Sequence, residues 1–174
     1  MLQTNQTLDL SPIGAKFIVR KTSRDTNGKS FDMEWDIEPN TLGPPVHIHP
    51  YAIETYTILD GEMEVFLNNN WITAGKGDKI IVEKGLPHTF KNSTDKIVKL
   101  YNTHEPAMQF ENFFEGLGKV CDSGVIKNRK MDLNAIISMS MLWTKYPNEI
   151  KSVKPPFFVM KIMSWIGKLR GIKI

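Results

Sequence analysis

Three of the four histidines of this chain and one glutamate are spaced so that together they could bind a metal ion. His47 and His49 are separated by one residue, so on a strand both imidazoles lie on the same face. Glu54 follows a Pro-Tyr bend, and His88 follows a Gly-Leu-Pro turn that would direct it at the first pair. Such a shell of imidazole nitrogen and carboxylate oxygen suits one divalent transition metal (Fe, Mn, Ni, Cu or Zn) and would be unusual for Ca²⁺ or Mg²⁺.

The elements that must position these residues are predicted to be short strands. Asn27-Gly28 and Asp60-Gly61 are strong hairpin signals, because these residue types tolerate positive φ, and the three asparagines at 68–70 form a further turn. Many short strands with a turn between each pair favour a sandwich or a closed barrel. The predicted strands are Ala15–Thr22, Phe31–Ile37, Ile53–Ile58, Met63–Leu67, Trp71–Thr73, Lys79–Val82, Thr89-Phe90 and Ile97–Tyr101.

Beyond residue 105 the apolar residues recur at helical spacing. The first helix is predicted to begin near Phe110 and to end at Gly116 and Gly118. The sequence therefore predicts a β-barrel domain over residues 1–105 and a C-terminal helical extension over residues 106–174, packed on the barrel or at a dimer interface. The other two predicted helices are Met131–Trp143 and Phe157–Leu169.

Two segments resemble the two motifs of the cupin family. Residues 43–61 read GPPVHIHPYAIETYTILDG, in which His-x-His, the glutamate and the final glycine fall at the spacing of the first motif. Residues 77–92 read GDKIIVEKGLPHTFKN, in which two glycines, the histidine and the final asparagine stand at the spacing of the second. The resemblance implies an all-β jelly-roll barrel with a C-terminal extension of about three helices. It also implies that the ligands of one metal ion are His47, His49, Glu54 and His88.

Two positions depart from the cupin pattern. Thr41 stands where the family has a glycine six residues before the first histidine, and the nearest glycine is Gly43. Glu83 replaces the proline of the second motif. Both positions are predicted to lie in turns, so the departures indicate changes of loop geometry that leave the ligands intact. His104 matches no position of the second motif and is kept outside the ligand set.

The resemblance extends to quercetin 2,3-dioxygenase-like proteins. It implies a metal-dependent, dioxygenase-like oxidoreductase that acts on a small aromatic or enol-bearing molecule, with Glu54 as the catalytic base. Two alternatives remain open: a non-catalytic module that binds a metal and a small ligand, and an isomerase of a sugar or small carbonyl compound. The residues expected to line a mostly apolar substrate pocket are Trp35, Tyr56, Ile58, Met63, Val65, Phe90 and Tyr101.

Charge is distributed unevenly along the chain. Residues 1–126 carry 12 basic and 17 acidic residues, whereas residues 127–174 carry 10 basic and 2 acidic residues. The last predicted helix is amphipathic and basic, and we expect its apolar stripe to pack against the barrel or a second subunit in a homodimer. Contact with a membrane surface is the less favoured alternative. No helix-turn-helix signature is evident, so no nucleic-acid partner is expected.

The remaining composition indicates a cytoplasmic protein. The single cysteine, Cys121, excludes an internal disulfide, and the first ten residues show no basic stretch followed by an apolar run. No segment approaches the roughly 20 apolar residues that cross a bilayer.

Overall fold

The computed structural model describes residues 1–127 and 129–173, which form a double-stranded β-helix of two antiparallel sheets with three helices. The predicted jelly-roll barrel with a helical extension is therefore confirmed. The first sheet has the strand order β1 (Thr7–Leu10), β2 (Ala15–Lys21), β3 (Phe31–Ile37), β11 (Val98–Glu105), β6 (Ile53–Asp60) and β9 (Lys79–Val82). The second has the order β12 (Lys151–Lys154), β5 (Val46–Ile48), β10 (His88–Asn92), β7 (Glu62–Leu67) and β8 (Asn70–Gly75), and β4 (Thr41–Leu42) pairs with β10.

The core lies between the inner faces of the two sheets. Alternate residues of each strand point inward, as the period of two requires. Phe17 of β2 and Trp35 of β3 are directly paired, and their ring centroids are 5.1 Å apart. Ile58 of β6 and Val65 of β7 meet this core from the two sheets, and both are buried. Burial of such side chains contributes roughly 1.5–3 kcal/mol each.

The predicted turns have three different outcomes. Asn68 and Asn69 both have positive φ and join β7 to β8 as a tight hairpin, as expected. Gly61 also has positive φ, but the hairpin predicted there is wrong, because β6 and β7 belong to different sheets and the chain crosses between them. Asn27-Gly28 lies in the longer connection 22–30 between β2 and β3, which do pair.

The helices are α1 (Phe110–Asp122), α2 (Leu133–Lys145) and α3 (Phe157–Leu169). The prediction that α1 ends at its two glycines is wrong, because the helix continues through both. A Cβ atom at Gly116 would overlap Leu142, and one at Gly118 would press on Leu8. These glycines therefore allow close packing of α1. Asp132 caps α2 by accepting a hydrogen bond of 2.9 Å from the Ala135 amide.

The C-terminal extension also contributes a strand to the barrel. Strand β12, which lies between α2 and α3, adds to the edge of the second sheet beside β5. The apolar stripe of α3 does not pack on the barrel, because Phe158, Ile162, Trp165 and Leu169 are exposed. Packing against a second subunit, the other predicted position, stays a prediction. Within residues 1–127 and 129–173, no helix is long and apolar enough to cross a membrane.

Candidate metal centre

The four predicted ligands converge from both sheets. Glu54 lies on β6 of the first sheet, His47 on β5 and His88 on β10 of the second, and His49 directly after β5. One ligand atom from each of the four lies within 4.8 Å of the others. All four side chains are buried, with residue exposures between 0 and 5%. These residues are therefore placed to bind one metal ion.

Local strand geometry explains how the histidines meet. His47 and His88 are directly opposite one another in the β5–β10 ladder, and their ring centroids are 4.2 Å apart. His49 follows His47 on the same face, at a centroid distance of 5.0 Å. The amide of Gly85 donates a hydrogen bond of 2.8 Å to the carbonyl of His49. This bond joins the turn before His88 to the first histidine pair.

Backbone carbonyls fix the ring tautomers of the three histidines. The Nδ1 atom of His47 lies 2.9 Å from the Pro45 carbonyl oxygen, and that of His88 lies 2.9 Å from the Leu86 carbonyl oxygen. The Nδ1 atom of His49 lies 2.5 Å from the Glu149 carbonyl oxygen. A carbonyl only accepts, so each Nδ1 carries a proton, and Nε2 is the nitrogen of each ring that is left to face the centre. This is the tautomer that a metal ligand needs.

The Nε2 atoms of two of these rings face the carboxylate of Glu54. Its Oε2 atom lies 3.2 Å from Nε2 of His49 and 2.9 Å from Nε2 of His88. Burial alone would raise the pKa of Glu54, but the imidazoles of His104 and His49 outweigh it and hold that pKa well below its usual range. Burial lowers the pKa of His47 well below its usual value, which favours the neutral ring. Three imidazoles and one carboxylate converge here, and a divalent transition metal fits this donor set.

Three further side chains hold Glu54. The hydroxyl of Tyr56 donates to Oε2 at 2.7 Å, and the amide of Asn102 donates to Oε1 at 2.9 Å. His104 lies directly opposite Glu54 in the β6–β11 ladder, with its Nε2 atom 3.3 Å from Oε1. Within the described part of the chain, Nδ1 of His104 has no hydrogen-bond partner. This favours the ring proton on Nε2, facing Glu54, and His104 is not part of the group of four converging residues.

The C-terminal extension covers the centre. The ring of Trp143 on α2 lies 5.6 Å from that of His47, and the ring of Phe110 on α1 lies 5.3 Å from that of His49. The carbonyl of Glu149, between α2 and β12, accepts the His49 hydrogen bond already described. Sequence reasoning did not find these contacts, because no spacing rule connects residues that lie 61 to 100 positions apart.

The predicted pocket residues divide into three groups. Trp35, Tyr56 and Phe90 line a cavity of about 20 Å³ beside Glu54. Ile58, Met63 and Val65 are buried in the core but do not line this cavity. Tyr101 lies on the outer face instead, where its hydroxyl donates to Asp32 at 2.9 Å. Val98 and Leu100 of the same strand point inward, so alternation places residue 102 at the site and residue 101 outside.

Of the two departures from the motif, Glu83 lies at a turn as predicted, whereas Thr41 belongs to strand β4, so the turn predicted there is wrong. Gly43 donates to the carbonyl of Phe90 at 3.0 Å, and a Cβ atom at Gly43 would overlap that oxygen. The close approach therefore occurs at Gly43, while Thr41 donates from its hydroxyl to the Gly14 carbonyl at 3.2 Å. Glu83 lies in a turn closed by a 3.1 Å bond from the Leu86 amide to the Glu83 carbonyl.

Comparison with known proteins agrees with this architecture. Residues 33–104, which include all four predicted ligands, match the family model described as a cupin domain. No curated protein matches the sequence. Among solved structures, KdgF from Halomonas sp. is 14% identical with a TM-score of 0.53, and the alignment covers 61% of this chain and 90% of that chain. An RmlC-like cupin from Shewanella frigidimarina NCIMB 400 is 18% identical with a TM-score of 0.53, covering 62% and 88%.

A predicted oxalate decarboxylase from Thermotoga maritima is 17% identical with a TM-score of 0.51, and the alignment covers 53% of this chain and 80% of that chain. At such identities the likeness concerns the fold alone. The range that matches the cupin family model, residues 33–104, lies within the double-stranded β-helix and contains the four converging residues.

Proposed function

We propose that this chain is a metal-dependent, dioxygenase-like oxidoreductase that acts on a small enol-bearing molecule. The observation that carries the proposal is the environment of Glu54, whose two oxygens have different neighbours. Oε2 faces the imidazoles of His49 and His88, whereas Oε1 accepts a hydrogen bond from Asn102 and lies beside His104. A carboxylate supported in this way can move from a metal ion without becoming an unpaired buried charge.

Glu54 is suited to accept the proton of an enol. Its pKa is held well below the usual range, so the carboxylate is ionised at neutral pH but weakly basic, which favours an acidic enol such as that of a diketone. It also lines the small cavity, which places it within hydrogen-bond reach of a molecule bound there. The hydroxyl of Tyr56 holds Oε2 in position through the 2.7 Å hydrogen bond. In the proposed reaction Glu54 is therefore the general base.

The three histidines would hold the metal ion through their Nε2 atoms. A bound Fe, Mn, Ni, Cu or Zn ion would supply Lewis-acid chemistry, and a redox-active ion would also supply electrons for a reaction with dioxygen. Because Nδ1 of each ring is already bonded to a backbone carbonyl, the rings cannot turn without breaking those bonds. The chain thus presents a preoriented donor set.

The size of the cavity favours a compact substrate. Its volume of about 20 Å³ is enough for a single water molecule, which needs roughly 10–15 Å³. Any organic substrate must displace side chains that line this cavity, and a small enol needs a smaller displacement than an aromatic ring. We therefore propose small diketones in their enol form as the first substrates to test.

The test combines metal loading with oxygen uptake. The metal-depleted protein is reloaded with each of the five ions in turn, and its metal content is measured. Oxygen uptake is then followed with small diketones, catechols and flavonols. We expect uptake with a redox-active ion and a small diketone. Glu54→Gln should bind metal more weakly and, at full loading, lose roughly 100-fold or more of the turnover. Tyr101→Phe, on the outer face, is the matched control and should keep full activity.

A non-catalytic metal-binding module is the second candidate, favoured by the small cavity and by the helical cover. It predicts a protein that binds a stoichiometric metal ion and consumes no oxygen with any of these compounds. That result, obtained with fully loaded protein and a redox-active ion, would exclude the oxygenase proposal.

A further inference from the structure

Helix α3 presents its largest apolar side chains to solvent. Phe158, Ile162, Trp165 and Leu169 are spaced by three or four residues, so they form one stripe along the helix. Their exposed fractions are 63%, 49%, 61% and 67%. Exposed apolar side chains are common singly, but a contiguous row of four that includes a tryptophan indicates a binding surface. We call these four residues the α3 stripe.

The opposite face of α3 is fixed against α2 by small residues. Ser164 accepts a hydrogen bond of 2.8 Å from the Thr144 hydroxyl. A Cβ atom at Gly167 would overlap Met141 and Ile137. Turning α3 to bury its stripe would place bulky side chains where only serine and glycine fit. The outward direction of the stripe is therefore a consequence of the packing between α2 and α3.

The charges beside the stripe are all of one sign. Residues 151–173 contain six basic residues and no acidic residue. Lys161 and Lys168 lie beside the stripe on one side of the helix. Arg170 and Lys173 lie near the end of the helix, and all four residues are exposed. A two-fold interface between copies would bring this basic surface against itself, because such an interface uses the same patch on both subunits. An anionic surface complements it instead.

We propose that the α3 stripe docks this protein onto membrane surfaces that contain anionic lipids. The helix would lie in the plane of the interface, with the four apolar side chains in the acyl boundary. Trp165 would sit at the level of the lipid headgroups, where indole rings are favoured. The lysine stems beside the stripe would extend their ammonium groups to the lipid phosphates. This surface is independent of the metal centre.

Vesicle flotation of the full-length protein tests the proposal. We expect flotation with vesicles of phosphatidylcholine and phosphatidylglycerol, little with phosphatidylcholine alone, and release at high salt. Lys161→Gln together with Lys168→Gln should weaken binding by more than about tenfold, because each charge near an anionic surface contributes roughly a factor of five. Phe158→Ser together with Trp165→Ser should abolish it. Trp71→Ser, which removes an exposed tryptophan on β8, is the matched control and should float like the parent protein.

Fluorescence and light scattering complete the test. In a Trp71→Phe background the exposed tryptophan is Trp165, since Trp35 and Trp143 are buried, and its emission should shift to the blue on binding.

Protein that stays unbound with the anionic vesicles, or binds equally well after both stripe substitutions, overturns the proposal. A stable dimer in light scattering that becomes a monomer after Trp165→Ser would overturn it as well, because the stripe would then be an interface between copies.

Discussion

At the scale of single residues, the tautomers separate the ligands from their support. Three histidines carry the proton on Nδ1, where a backbone carbonyl accepts it, and His104 carries it on Nε2, facing Glu54. The same residue type therefore has two roles at one site. This distinction depends on backbone oxygens contributed by the loops before His47 and His88 and by the helical extension.

Substitution at the two kinds of histidine should have different effects on metal binding. His88→Ala removes a donor and should abolish stoichiometric binding. His104→Gln retains a side-chain amide that can donate to Glu54, so it should weaken binding on the order of 10-fold, as expected for partners of metal ligands. Elemental analysis after dialysis and competition with a chelator measure both. Equal losses in the two variants would contradict the assignment of His104 as a donor.

Residue spacing was enough to predict which four side chains converge but not their surroundings. His-x-His on a strand fixes the relation between two imidazoles locally, whereas the position of Glu149 depends on how the extension folds back. The inward position of Asn102 could have been predicted, since alternation from Val98 and Leu100 leads to it. Tyr101 was predicted to face the pocket, and this prediction is wrong, because the same alternation places it on the outer face of the strand.

At the scale of elements, strand β12 could not be predicted from its sequence pattern. Its sequence, Lys-Ser-Val-Lys, has one aliphatic residue and no alternation of apolar and polar side chains. It is a strand because β5 offers an unpaired edge, a tertiary effect that outweighs local propensity. The bounds of α3, by contrast, follow from helical periodicity. Which of its faces is packed does not, because the buried residues of α3 are Met160, Ser164 and Gly167, and the large side chains of the α3 stripe are exposed.

The approach of β4 to β10 should be sensitive to a single methyl group. Gly43→Ala would push the segment before His47 away from the Phe90 carbonyl, and we expect a loss of about 2 kcal/mol of stability together with weaker metal binding. Gly75→Ala is the control, because a Cβ atom there meets nothing within 4 Å, and its effect should stay within about 0.5 kcal/mol. Urea unfolding of both variants measures the difference. Indistinguishable midpoints would show that β4 can shift at no cost.

At the scale of the whole molecule, the metal centre joins parts of the chain that are distant in sequence. Glu54 belongs to the first sheet, His47 and His88 to the second, and His49 is bonded to Glu149 of the extension. The basic C-terminal segment is thereby tied to the more acidic barrel at the site itself. Metal occupancy should consequently affect the barrel and the extension together.

Removal of the metal should therefore loosen the extension as well as lower the stability of the barrel. A ligand that binds only the native state at 100 times its dissociation constant contributes about 2.7 kcal/mol, so chelation should lower the urea midpoint accordingly. Amide hydrogen exchange should also accelerate in residues 146–154, which hold the Glu149 carbonyl and β12, more than in β1 and β2, which lie far from the ligands in the first sheet. His88→Ala should show this fast exchange with and without added metal. Unchanged exchange at 146–154 on chelation, in protein shown to have bound metal, would mean that the extension covers the centre without depending on it.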